Sequence, residues 1–126
     1  MPESDTTHAP QPALTHAVYF TLIDDSPERI EALIDSCVEH LTDHPGILSF
    51  AVGTRNPALT REVNDQEFHV GLQMIFDGLP AHDAYFDSPG HLRFLRDNRS
   101  NWARVRIFNF DADPRIRPTS SSGWNH

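Results

Sequence analysis

Hydrophobic positions along the chain switch between two periods, and each switch marks an element. From His16 to Ile23 the sequence is β-branched and aromatic. His16, Val18, Phe20 and Leu22 fall on one face and Ala17, Tyr19, Thr21 and Ile23 on the other, the alternation of a strand. The period then lengthens: Ile30, Leu33, Ile34, Cys37, Val38 and Leu41 make one apolar helical stripe. Ser26 stands where a cap is needed, Pro27 takes the first helical position, and Glu28 favours the dipole of the first turn. The His44-Pro45-Gly46 bend ends this helix.

Alternation returns from Ile47 to Thr54, where Leu48, Phe50 and Val52 oppose Ser49, Ala51 and Gly53. Residues 55–66 are polar and form a connection long enough to move or to fold over a pocket. A third strand is expected from Glu67 to Phe76, with Phe68, Val70, Leu72, Met74 and Phe76 facing one way and His69, Gly71, Gln73 and Ile75 the other. Helical segments follow over Pro80 to Phe86 and His91 to Asn98, separated by Ser88-Pro89-Gly90, and a last strand spans Arg104 to Phe110.

The order is βαββαβ, a ferredoxin-like α+β pattern in which both helices cover one face of a four-stranded antiparallel sheet. The helix-covered side takes His16, Val18, Phe20, Val70, Leu72 and Met74. The other side mixes Tyr19, Ile23 and Ile75 with Thr21, Gln73 and His69. It is too apolar to face water alone, so a second copy closing it into a dimeric α/β barrel is expected. His69 would then meet the partner chain.

Composition narrows the function. The chain has 126 residues, one domain's worth, expected over 14–112, with Pro-rich disordered tails at 1–13 and 113–126. Ten basic against 18 acidic residues give a net charge of −8, which argues against nucleic acid and anionic membrane surfaces as partners. Cys37 is the single cysteine, so no intrachain disulfide forms and a small buried core residue is expected. No run reaches the ~20 apolar residues of a membrane span. The acidic N-terminus lacks the pattern of a secretion signal, and a cytoplasmic setting is expected. Trp124 in the second tail has no evident role.

Chemistry concentrates in Ala81 to His91. Tyr85 ends one helical segment and His91 begins the next, so a phenol and an imidazole lie a short bend apart and can transfer protons if they share a cavity. The alternative is a structural brace, with His91 bonded to backbone and Tyr85 filling space. His16 reads either as a satisfied core histidine or as a third member of the site. His40 and His44 have the spacing of neighbours on a helix face, but no third metal ligand is near in sequence. His82 and Asp83 fall on a turn expected to be exposed. Arg93, Arg96, Arg99, Arg104 and Arg106 form a solvated basic patch expected to pair with Asp87, Asp97 and Asp111.

With His16-x-Val-x-Phe20 opening the domain, Phe76 ending the third strand and Tyr85 to His91 in the form Tyr-x-x-x-Pro-x-His, the chain resembles the stress-responsive alpha/beta-barrel (Dabb) family over about Thr15 to Asp111. That resemblance implies a ferredoxin-like homodimer whose sheets share a barrel. A plant cyclase of the family uses a Tyr and a His in the equivalent bend to close a linear polyketide; the matching positions here are Tyr85 and His91, with His16 matching the first-strand histidine. Its third-strand histidine is replaced here by Val70. The implied function is binding of a small organic molecule in a pocket between sheet and helices, lined by Val18, Phe20, Val70, Leu72 and Met74. Turnover there would be cofactor-free cyclisation or isomerisation, with neither metal nor cofactor expected. A non-catalytic dimeric stress-response module and a cofactor-independent monooxygenase are the alternatives.

Overall fold

A computed structural model describes residues 11–116. Strand β1 (Leu14–Leu22) is followed by α1 (Pro27–Leu41), β2 (Ile47–Thr54), β3 (Val70–Phe76), α2 (Leu79–Phe86), α3 (Pro89–Asn98) and β4 (Trp102–Asp111). The strands form one antiparallel sheet in the order β2-β3-β1-β4. This is the ferredoxin-like arrangement, with β1 and β3 at the centre.

The α1 stripe explains how the helices seat. Ser26 caps the helix by accepting from the Arg29 N–H, and Leu33, Cys37 and Leu41 are buried at successive helical turns against the sheet. Val38 was expected in this stripe but is half exposed, because it sits at the stripe's edge. From the sheet, Val18, Phe20, Leu22, Val70, Leu72, Met74 and Phe76 complete the core, joined by Phe94 of α3. Phe20 and Phe94 meet edge to face with ring centroids 6.2 Å apart, and Trp102 packs 5.0 Å from Phe20.

Two glycines permit close approaches. Gly46 has φ +91°, a left-handed conformation that reverses the chain between α1 and β2. A Cβ at Gly90 would lie 2.5 Å from the His40 carbonyl oxygen, so α3 approaches α1 backbone to backbone at that point.

Several expected boundaries move. A register shift between Ile47 and Ser49 turns Ile47, rather than Leu48, onto the core. Strand β3 begins at Val70, so its alternation does not reach Phe68. The Phe68 ring packs instead on Tyr19, 5.1 Å away, on the sheet face opposite the helices. The segment before β3 is held there by Thr21 Oγ1 donating to the Glu67 carbonyl and by the Arg106–Asp65 ion pair. Arg104 pairs with Glu67 at 3.7 Å, so these two arginines bind the β2–β3 connection rather than Asp111. His69 is also used within the chain: Nδ1 accepts from the Leu22 N–H at 2.9 Å and Nε2 lies 3.2 Å from Asp25.

Of the expected tails, residues 1–10 and 117–126, with Trp124, lie outside the described residues. Ala13 is no tail residue: it is buried, and its carbonyl accepts from the Ala112 N–H at 2.7 Å. Pro114–Ile116 form a short 3-10 turn. Among the described residues no helix is long and apolar enough to cross a membrane.

Because Phe20 is 1% exposed and packs on Phe94 of α3 and Trp102 of β4, Phe20→Ala is expected to cost about 3–5 kcal/mol, read as a lower urea midpoint with an unchanged slope.

Candidate functional site

Beneath α2 the sheet and both C-terminal helices bring a ring cluster together. Leu79–Phe86 ends because Ser88 cannot continue it and still be followed by Pro89. The Ser88 hydroxyl donates to the Tyr85 carbonyl at 2.7 Å and accepts the His91 N–H at 3.2 Å, capping α3. Helix α3 therefore starts at Pro89 rather than at His91. This puts His91 in its first turn with its imidazole 4.8 Å from the Tyr85 ring. His16 of β1 comes in from the sheet, 6.3 Å from Tyr85 and 6.1 Å from Phe76. His44, from the bend before β2, stands edge-on to Tyr85 at 5.8 Å.

Hydrogen bonds fix how the imidazoles are presented. His91 Nδ1 donates to the Phe86 carbonyl at 3.0 Å, and His16 Nδ1 donates to Asn109 Oδ1 at 2.6 Å. Each Nδ1 thus carries its proton in the neutral ring, leaving Nε2 as the basic atom. His16, Tyr85 and His91 are all buried, at 7%, 2% and 8% exposure. Burial holds both imidazoles below the ordinary histidine range. The Asn109 bond opposes this for His16 and the Phe86 bond opposes it for His91. Burial also pushes the Tyr85 phenol up, so it is a proton donor and not a phenolate near neutral pH. Cys37 behaves as packing, its thiol pushed up by burial to about 12. Among the described residues no three His, Cys, Asp or Glu side chains gather as metal ligands; His40 instead lies 4.0 Å from Asp97.

The model of the Stress responsive A/B Barrel Domain (Dabb) family matches residues 14–112. The chain belongs to that family. No curated protein matches it. Solved structures share the fold. A dimeric ferredoxin-like protein of unknown function from Thermobifida fusca is 18% identical with a TM-score of 0.66, covering 81% of this chain and 92% of its own. Hydroxynitrile lyase from Passiflora edulis is 18% identical with a TM-score of 0.69, covering 83% and 97%. A cofactor-independent oxygenase from Streptomyces nogalater is 15% identical with a TM-score of 0.62, covering 80% and 93%.

In this A/B barrel domain, then, His16, Tyr85 and His91 converge on one spot from β1, α2 and α3. The five apolar residues expected to line a pocket sit in the packed core, where Met74 is paired with His16 across the strands. Two further side chains belong to the cluster. His82 is not on an exposed turn: it lies on α2 one turn before Tyr85, with its ring 5.2 Å from His16. Asn109 faces His16 across the β1–β4 pairing. The i, i+3 spacing of His82 and Tyr85 was a readable signal; the Asn109 pairing depended on a register that no single sequence displays. Open concavities lie on the opposite sheet face. One of about 320 Å³ is bordered by Tyr19, Gly53, Phe68 and Gly71, and another of about 390 Å³ by Tyr19, Asp65, Phe68, Arg106 and Phe108.

The buried imidazoles tie stability to pH. Their folded pKa values lie below the ordinary 6.5, so the unfolded chain binds protons that the folded chain refuses, and stability is full above about 6.5 and lost as pH falls. A lower denaturation midpoint is expected at about pH 5.5 than at about pH 7.5, and His91→Gln should shrink that difference, measured by urea melts at both values.

Proposed function

We propose that this A/B barrel protein binds a small organic molecule against His16, Tyr85 and His91, with the imidazoles as bases and the phenol as proton donor. The observation that carries the reading is the convergence of two anchored, uncharged imidazoles and a neutral phenol from three separate elements. The Nδ1 atoms are used for anchoring, as a brace would also use them, and the Nε2 atoms are left as the basic ones. Turnover on such a site is cofactor-free acid and base chemistry, a cyclisation or isomerisation that moves a proton from carbon or hydroxyl to imidazole while Tyr85 hydrogen-bonds a carbonyl oxygen. The hydroxynitrile lyase shares the fold alone and lends no substrate to this chain.

A ligand-observed NMR screen of small aromatic and carbonyl compounds tests this. A hit is expected to weaken at least about tenfold in both His91→Ala and Tyr85→Phe, whose folds are checked by circular dichroism. Hits that bind both variants as tightly as the unaltered protein would end the reading.

A homodimer formed through the open sheet face is part of the same proposal. Phe108 and Phe110 are 52% and 59% exposed there, beside Tyr19 and Phe68, and the Thermobifida fusca neighbour is described as dimeric. Replacing both, as Phe108→Glu with Phe110→Glu, is expected to convert a dimeric sedimentation profile to a monomeric one. The closure of the ring cluster favours a second reading, a non-catalytic dimeric module. On that reading the screen above yields no hit at all.

A further inference from the structure

His82 has no role in the proton-transfer trio, yet its placement is that of a working part. It rides on α2, which covers the cluster, and its ring stands edge-on to His16 at 5.2 Å and to Phe76 at 5.5 Å while stacking on Phe86 at 6.3 Å. Phe86 in turn lies 5.0 Å from His91 and supplies the carbonyl that anchors it. One imidazole therefore reaches His16 directly and His91 through a single shared neighbour. Its own Nδ1 lies 3.1 Å from Asp83 Oδ1, and its side chain is 18% exposed, so unlike His16 and His91 it is open to water and has a carboxylate to balance a proton.

We propose that His82 acts on this site as a third imidazole, setting from the solvent side whether His16 and His91 are available as bases. It is a positioning residue, acting through the other two, and the proposal rests on the reading of the site given above. The charged and titratable groups around it are few. Asp83 shares its helix, Asp87 at the end of α2 acts on His91, His44 stands beyond Tyr85, and the neighbour from β4 is the uncharged Asn109. A proton on His82 is felt by His16 and His91 as a like charge, partly offset by Asp83, and it adds to the larger effect of burial in holding both imidazoles down. With that charge present His16 and His91 stay neutral to lower pH, and with it removed they take up protons more readily.

Histidine-ring NMR titration of the full chain, without ligand, tests the coupling. In His82→Gln the midpoints of His16 and His91 are expected to rise by about half a pH unit, the effect of one charge removed at ~5 Å under water-like screening. In His82→Lys, which restores a positive charge, both midpoints are expected to stay at or below those of the unaltered protein. A packing role would not separate Gln from Lys, so equal midpoints in the two folded variants overturn the proposal. If His82→Gln does not fold, His82→Asn replaces it in the same comparison. Because no ligand is present, the outcome is independent of the binding screen. A failed screen with shifted midpoints removes the proposed ligand site and leaves the coupling, and the converse result removes only the role of His82.

Discussion

The Ser88 hydroxyl is the contact on which the site depends. By donating to the Tyr85 carbonyl and accepting the His91 N–H, one oxygen ends α2 and begins α3, and the phenol and imidazole are fixed relative to each other by backbone. The Phe86 carbonyl, freed at the same helix end, then takes the His91 Nδ1 proton. A break that would weaken a continuous helix here supplies the cap for the next one and orients a ring. Capping bonds of this kind are worth about 1 kcal/mol each, small beside the core but sufficient to choose one rotamer over another.

Burial gives the arrangement its chemical character. An exposed histidine near neutral pH is a mixture of charged and uncharged forms; His16 and His91, under α2 and against Phe76 and Tyr85, are kept uncharged by the cost of desolvating a cation. The same desolvation keeps the Tyr85 proton in place. Two neutral imidazoles and a neutral phenol are thereby held side by side, with Asp87 working against burial at His91. The electrostatic cost appears in stability, since the folded chain forgoes protons that the unfolded chain would take.

Much of this was legible in the residues. The switch from period 2 to a helical period located β1 and α1, and Ser26-Pro27 marked the start of α1 correctly because cap chemistry is local. The Tyr85 to His91 bend was readable for the same reason. What failed was non-local. Phe68 continued the alternation of β3 in sequence, but ion pairs from β4 hold the preceding segment on the other side of the sheet. Leu48 looked like core until a bulge put Ile47 there. The bonds of His69 to the Leu22 amide and Asp25 likewise joined residues that no local pattern pairs. Asn109 could not be matched to His16 without the β1–β4 register.

Gly90 carries a consequence for how the domain tolerates change. With no side chain between them, α3 rests on the His40 carbonyl of α1 itself, and His91 is the next residue along. The imidazole inherits its height above the sheet from main-chain atoms, which every sequence shares, instead of from the volumes of interlocking side chains. Aliphatic residues around it can therefore be exchanged while the ring keeps its place, because main-chain contact and not side-chain volume sets its position.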